Sequence, residues 1–198
     1  MIRLCILLIY FVLYLSVCSI PDSKIYTLQT LEEFKRDKVL NEKSFKHSLN
    51  IIVDSPRYLT QPYIVTRYSD YQIEIARYSK WETNQKDILS KRIKEVLESL
   101  DLFREVTLND NTTDEAYLMR LDLKRFEMLH YGRDYYGEII VDIDFISPEG
   151  KRVYTDRLSK RIKLKDGSFT ELAKELSNAL NEIIEMIKTE IPKINKQL

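Results

Sequence analysis

The sequence has few of the residues that build metal sites and phosphate-binding loops. It contains two Cys and two His among 198 residues, whereas a zinc site usually takes four such ligands at close spacing. The four Gly, at positions 132, 137, 150 and 167, are isolated from one another. The chain therefore lacks a glycine-rich phosphate loop, a dinucleotide fingerprint and a nucleophile elbow. We expect no metal and no cofactor.

An excess of charge of one sign is also missing. Lys and Arg total 31, Asp and Glu total 31, and the net charge is zero. Proteins that coat nucleic acid are usually strongly basic, so no nucleic-acid partner is expected. With 44% hydrophobic residues and only five Pro, the chain is neither disordered nor of low complexity. Its length suits one domain.

The first 18 residues are much more apolar than the rest of the chain. Arg3 gives a short positive start, and residues 4–15 form an unbroken apolar run of 12 residues. A membrane-spanning helix needs about 20 such residues, so the run fits the hydrophobic region of a signal peptide better. We predict a signal peptide over residues 1–17. An uncleaved signal anchor, or a leader cut elsewhere, is the alternative.

The leader ends in Leu-Ser-Val-Cys at residues 15–18, which resembles the lipobox of bacterial lipoproteins, although Val17 departs from the usual small residue. In this motif the Cys is lipidated and becomes the first residue of the mature chain. We predict lipidation at Cys18 and a tether over residues 18–24. Acyl chains with several tens of buried CH₂ groups, at ~0.8 kcal/mol each, suffice for anchoring. Ser19 favours the periplasmic side of the outer membrane over the inner membrane, where an Asp would be commoner.

Residues rich in β-formers, several of them alternating between apolar and polar, predict a sheet. A hairpin turns at residues 69–70, and its second arm alternates Tyr71, Ile73 and Ile75 with polar residues, which is typical of a sheet with one buried face. Pro56 and Pro62 bracket a segment that cannot be a central strand. The predicted strands are 25–28, 49–54, 64–68, 71–78, 103–108, 116–129, 137–146 and 153–164.

Two segments have the three- and four-residue spacing of amphipathic helices, 83–100 and 169–188. The order strands, helix, strands, helix predicts an α+β domain over residues 25–190, in which two long helices pack on one face of a mostly antiparallel sheet. Residues 191–198 are expected to be a polar, frayed tail. The buried helix stripes would comprise Ile88, Leu89, Ile93, Val96, Leu97 and Leu100, and then Leu172, Leu176, Leu180, Ile183 and Ile187.

Only one pair of side chains suggests catalysis. Asp142 and Asp144 lie two residues apart on one strand face and could act as acid and base. At this spacing, carboxylates more often form the solvated face of a half-buried strand. We therefore assign no catalytic residue and expect no enzyme. A hydrolase that uses these two carboxylates is the third functional hypothesis.

Aromatic residues suggest binding instead. Tyr131, Arg133, Tyr135 and Tyr136 surround a Gly-containing turn, and Tyr and Arg are enriched at interface hot spots. These four residues are a candidate partner surface. The alternative is that they are ordinary side chains of a hairpin without a binding role. The single Trp, Trp81, stands beside the first helix and is expected to anchor the core.

Several segments in combination resemble the ABC-type transport auxiliary lipoproteins, the PqiC/YmbA family. Cys18 and a short tether precede Tyr-Thr-Leu at 26–28; a strand leads into the Pro-bracketed segment; and Arg-Tyr-Ser-Lys-Trp at 77–81 precedes the first helix. The resemblance covers nearly all of the body. Its signature positions in this chain are Tyr26, Leu28, Pro56, Tyr58, Leu59, Pro62, Arg67, Tyr78 and Trp81.

The resemblance implies a function that the residues alone do not give. Family members are non-catalytic periplasmic lipoproteins that accompany MCE-type ABC systems moving phospholipids or other hydrophobic molecules between membranes. An MCE-domain partner, a lipid-anchored attachment to the membrane and a homo-oligomer are therefore expected. The alternative is an outer-membrane lipoprotein that itself binds a lipid or assists outer-membrane assembly.

Overall fold

The structure is a computed structural model that describes residues 22–29, 45, 47–108 and 115–197, with side chains up to residue 194. The predicted signal peptide, Cys18 and most of its tether lie outside the described residues. Residues 30–44 and 109–114 also lie outside the described residues.

The described part of the chain forms eight strands and two α-helices. The strands are β1 Lys24–Tyr26, β2 Leu49–Asp54, β3 Tyr63–Ser69, β4 Gln72–Trp81, β5 Val106–Leu108, β6 Tyr117–Tyr131, β7 Asp134–Ile146 and β8 Arg152–Lys163. The helices are α1 Gln85–Ser99 and α2 Phe169–Gln197, and a short 3₁₀ turn, Arg57–Leu59, fills the Pro-bracketed segment.

All strands belong to one sheet with the order β1-β4-β3-β6-β2-β5, and β7 pairs with the free edge of β6 and with β8. The three hairpin pairs, β3–β4, β6–β7 and β7–β8, are antiparallel and contain most of the paired residues. Four shorter pairs, β1–β4, β2–β5, β2–β6 and β3–β6, are parallel. The predicted α+β class and mostly antiparallel sheet are confirmed, and the parallel pairs were not foreseen.

Both helices pack on one face of the sheet, as predicted. The Asn84 side chain accepts a hydrogen bond from the Asp87 backbone N–H at the start of α1, and Ser168 Oγ accepts one from Glu171 N, 3.2 Å away, at the start of α2. Such capping satisfies backbone donors that have no partner inside the helix. Every residue of both predicted helix stripes is buried, and so is Trp81, which meets Phe126 edge to face.

The predicted frayed tail is wrong. Helix α2 continues to Gln197 through Pro192, although proline removes one helical hydrogen bond. Ile191 and Ile194 are only 1% and 6% exposed. They continue the apolar stripe by about two further turns beyond Ile187, and this burial holds the helix where the composition of the tail predicted fraying.

The alternation in β4 does not mark a buried face, contrary to expectation. Tyr71 is 99% exposed, Ile75 is 46% exposed and Ile73 is half-buried. The reason is position in the sheet, because β4 lies toward one edge and β1 flanks only its last three residues. The contacts of α1 fall on β2 and β5, and those of α2 fall mainly on β7 and β8.

Candidate partner-binding surfaces

The face of the sheet opposite the helices, here called the open face, carries closely spaced charges. On β6 and β7 the residues that alternate with the core residues point to it. Arg120 lies opposite Asp144, Asp122 opposite Asp142, and Glu127 opposite Glu138. Residues directly opposite each other on neighbouring strands are close enough to interact. The open face therefore carries a ladder of charged side chains.

Two carboxylates of this ladder are buried although no helix covers them. Glu127 and Glu138 are 0% and 1% exposed. Arg67 from β3 forms an ion pair with Glu127, and Arg125 donates to Glu138 Oε2 at 2.7 Å. Arg161 from β8 donates to Glu138 Oε1 at 2.7 Å. A buried charge without partners would be very costly, so the three guanidinium groups are what allow the two carboxylates to sit here.

Tyr58 extends this cluster toward the Pro-bracketed segment. The Arg67 Nη2 atom donates to Tyr58 Oη at 3.2 Å and to Glu127 Oε2 at 3.2 Å. Burial, followed by the negative charge of Glu127, raises the pKa of the Tyr58 hydroxyl, and the hydrogen bond to Glu127 raises the pKa of Arg67. Two of the signature positions named above, Tyr58 and Arg67, thus lie together around one carboxylate.

The other signature residues join strands at the edge of the sheet. The Trp81 backbone N–H donates to Pro62 O at 2.6 Å, and Tyr26 lies opposite Trp81 in the β1–β4 pair. Pro56 O accepts from Leu59 N in the 3₁₀ turn, and Leu59 is buried. Leu28 is partly buried against the core, whereas Tyr78 is 42% exposed. Apart from Tyr78, these residues make structural contacts in the described chain.

The two candidate catalytic carboxylates are both engaged by cations. Asp142 accepts two hydrogen bonds from Arg157, at 2.6 and 2.8 Å, and these lower the pKa of the Asp142 carboxyl. Asp144 accepts from Thr155 at 2.7 Å and pairs with Arg152 at 3.3 Å. A carboxyl held ionised in this way is a poor general acid. The geometry fits the solvated face of a strand better than an acid–base pair.

The four residues of the predicted partner surface do not form one patch. Tyr131 is 75% exposed and Arg133 is exposed, both at the β6–β7 turn. Tyr135 points to the opposite face, where its ring stacks on His130 at 4.3 Å. A Cβ on Gly167 would come within 2.8 Å of that ring. Tyr136 lies opposite Leu129 and Lys163, on the open face.

Sequence reasoning missed one exposed aromatic residue at this end. Tyr71 follows the β3–β4 turn and is 99% exposed. Its alternation with polar residues continues that of Ile73 and Ile75, and this pattern predicts a buried strand face for Tyr71. The available signal was its position directly after Ser69-Asp70, since a residue at a hairpin turn has no neighbouring strand to cover it.

A groove of about 480 Å³ lies between β8 and the second half of α2. Leu158, Tyr154 and Met186 give it an apolar floor, and three carboxylates line it, Asp156, Glu185 and Glu190. Burial and the hydrogen bond that Tyr154 donates to Asp156 raise the pKa of the Tyr154 hydroxyl to about 12. The groove would suit an apolar molecule without negative charge.

The described ranges hold neither a cluster of metal ligands nor a helix suited to cross a membrane. No three His, Cys, Asp or Glu side chains come together there as a metal site would need. Neither α1 nor α2 combines the length and apolar character needed to cross a membrane.

The described residues form an α+β domain with one face covered by helices and one charged open face. Residues 46–188 match the family described as the ABC-type transport auxiliary lipoprotein component. The chain belongs to this family. Its members are auxiliary components of transport systems. Because they are lipoproteins, the protein is a lipid-anchored periplasmic protein of the cell envelope.

Solved structures share the fold. Protein XCC0632 from Xanthomonas campestris aligns with a TM-score of 0.71 over 88% of this chain and 97% of its own, at 16% identity. An uncharacterized protein aligns with a TM-score of 0.61 over 86% of this chain and 99% of its own, also at 16% identity. No curated protein matched the sequence. At such low identity the likeness shows the fold alone.

Proposed function

We propose that the protein is a non-catalytic docking and assembly component of an MCE-type ABC transport system that moves phospholipid or other hydrophobic molecules between the two membranes. The match of residues 46–188 to the auxiliary lipoprotein family carries this proposal. The engaged carboxylates of the open face agree with a role in binding, because Asp142 and Glu138 are each held by an Arg side chain.

Two finer points belong to the same proposal. The proposed anchor is Cys18 and the proposed location is the periplasmic side of the outer membrane. Ser19 supports this choice, because an Asp after the Cys would favour inner-membrane retention. The chain also assembles with copies of itself. The long β8 edge supports this, since β8 pairs only with β7 among the described strands, and an unpaired edge can receive another strand.

Capture from solubilised membranes tests the proposal. The full-length acylated protein, carrying an affinity tag at its C-terminus, should retain an MCE-domain protein, identified by mass spectrometry. Light scattering of the same preparation should give the mass of an oligomer. A monomer that captures no MCE-domain protein would contradict the proposal, and Cys18→Ser, which removes the anchor, provides the control for retention through shared lipid.

The second candidate function, direct binding of a lipid, has one observation in its favour, the groove between β8 and α2. Its volume of about 480 Å³ is within the usual range for small-molecule sites. However, Asp156, Glu185 and Glu190 line it, and these carboxylates would repel an anionic headgroup. Native mass spectrometry that found one lipid bound per protomer, lost on Met186→Arg at a position 42% exposed in the groove, would favour this candidate.

A further inference from the structure

One end of the sheet presents two strongly exposed aromatic side chains. The β3–β4 and β6–β7 hairpins both turn there, at residues 69–71 and 131–134. Tyr71 is 99% exposed and Tyr131 is 75% exposed. The turns lie side by side because β3 and β6 are parallel neighbours, with Arg67 opposite Leu129. We call this end of the molecule the tip end.

The chain upstream of β1 leads toward the tip end. Strand β4 begins at the tip end, and β1 is parallel to β4, with Lys24 opposite Ser79. The N-terminal end of β1 therefore faces the tips. Lys80 lies opposite Tyr63, and Tyr63 to Ser69 spans six steps of β3, or about 20 Å. The tips therefore lie at most about 20 Å beyond the start of β1.

The tether is long enough to bring the anchor to the same level. Cys18 precedes Lys24 by six residues, and an extended chain covers about 20 Å in six residues. A Cys18 carrying acyl groups in a bilayer can therefore lie at the level of Tyr71 and Tyr131. It does not reach the opposite end of the sheet. Strand β6 has 15 residues and is about 50 Å long, so that end lies about 30 Å from the start of β1, beyond the reach of the tether.

We propose that the tip end rests on the phospholipid bilayer that holds the protein's own anchor, with Tyr71 and Tyr131 in the headgroup region. Tyrosine is favoured at this depth, because its ring is apolar and its hydroxyl can stay hydrated. Arg133 is exposed at the same turn and can pair with lipid phosphate. The proposal rests on lipidation of Cys18 and is independent of an MCE partner.

The neighbouring loop also contains a basic residue. The loop before α2 is fixed to the tip end, because Leu164 N donates to Tyr135 O at 2.9 Å. Lys165, next in this loop, is exposed.

A membrane is favoured over a protein as the occupant, because a six-residue tether leaves too little space for a folded domain between the tips and the bilayer.

Tryptophan quenching tests the contact. The only native Trp, Trp81, is 1% exposed, so a new Trp reports on its own position. Tyr71→Trp and Tyr131→Trp are made in the full-length protein, and Lys151→Trp, exposed at the β7–β8 turn at the other end, is the matched control. Each acylated protein is reconstituted into vesicles of phosphatidylethanolamine and phosphatidylglycerol, with or without phosphatidylcholine brominated near the top of its acyl chains.

We expect the brominated lipid to reduce the emission of both tip tryptophans by roughly half, because interfacial aromatic rings lie at the depth of the quencher. Emission from Lys151→Trp and from the parent should be unchanged. Acylated protein without quenching at either tip, or with equal quenching at position 151, would overturn the proposal. If mass spectrometry found no acyl groups, the anchor and this proposal would both fail.

The failure of this inference can be distinguished from failure of the proposed function. Capture of an MCE-domain protein by the Tyr71→Ala variant should equal that of the parent. Loss of capture, together with unquenched tip tryptophans, would mean that the tips meet a protein and would overturn the membrane contact. Normal quenching without any capture would contradict only the docking function.

Discussion

At the scale of single residues, the arginine–glutamate cluster of the open face is the feature most sensitive to substitution. Arg67 has a side chain 12% exposed, and its partner Glu127 is 0% exposed. Removing one partner from a buried ion pair leaves an uncompensated charge. We expect Glu127→Gln to lower the free energy of unfolding by about 3 kcal/mol, measured by urea denaturation.

The same face provides the control for this substitution. Asp142→Asn removes a pair with Arg157 in which the side chains are 32% and 65% exposed. Pairs that water reaches contribute little to stability, so this variant should unfold like the parent. Equal losses for Glu127→Gln and Asp142→Asn would show that burial does not distinguish the two pairs.

A second residue-scale prediction concerns alkaline pH. The pKa of Tyr154 is raised to about 12 in the folded protein, from an ordinary 10.0. Above pH 10 the unfolded chain therefore releases this proton while the folded protein retains it. The resulting contribution to stability is complete below pH 10 and is lost as pH rises from about 10 to about 12. Tyr154→Phe should remove this part of the alkaline destabilisation.

The measurement compares free energies of unfolding near about pH 9 and about pH 11. The decrease between the two should be smaller for Tyr154→Phe than for the parent. Tyr68→Phe is the comparison, because burial and Glu74 also raise the Tyr68 pKa but its ring is 39% exposed. This variant should change the decrease less than Tyr154→Phe does. An identical decrease in parent and Tyr154→Phe would contradict the assignment.

Some of the structurally important residues could be predicted from the sequence, and others could not. Trp81 is expected in the core because it stands beside an amphipathic helix, and Tyr58 and Arg67 come from the family resemblance. Burial of Glu127 and Glu138 could not be predicted. Strand alternation assigns them to the solvated face, and what buries them is Arg side chains from β3, β6 and β8, whose proximity depends on the strand order.

At the scale of secondary structure, the end of α2 carries the clearest prediction. Ile191 is 1% exposed although it adjoins Pro192. We expect Ile191→Ala to lower the free energy of unfolding by about 2–4 kcal/mol, the usual cost of truncating a buried Ile. Met186→Ala, at a position 42% exposed on the same helix, should have little effect. If Ile191→Ala were as stable as Met186→Ala, the last turns of α2 would not be docked.

The elements themselves were largely predictable, whereas their arrangement was not. The helices and the long strands β6, β7 and β8 have clear periods of 3.6 and 2. Hairpin pairs follow from short turns, but the parallel pairs β2–β6 and β3–β6 join segments far apart in sequence, and no local pattern encodes them. The exposure of β4 follows from this arrangement, because the helices contact other strands.

At the scale of the whole molecule, strand direction and tether length together give an orientation relative to the membrane. With the tip end on the bilayer, the sheet stands upright, and the β7–β8 turn points away from the membrane by about the length of β6. The open face and the free edge of β8 then remain accessible from the side. The anchored domain could meet an MCE partner or a second copy there while the tips keep contact with lipid.

Tether length should control that contact. Two tyrosines bind a bilayer weakly, so their contact depends on the high effective concentration that a short tether provides. Inserting a flexible Gly/Ser segment of about 20 residues between Ser19 and Lys24 lowers this concentration but leaves Cys18 and its leader unchanged. We expect the insertion variant of Tyr71→Trp to stay acylated and membrane-bound, yet to lose a large part of its quenching by brominated lipid. Quenching that did not change with tether length would contradict this prediction and would mean that the tip end binds lipid strongly by itself. The same insertion in Lys151→Trp is the control. Its emission should stay unquenched, which would show that the protein has not collapsed onto the bilayer.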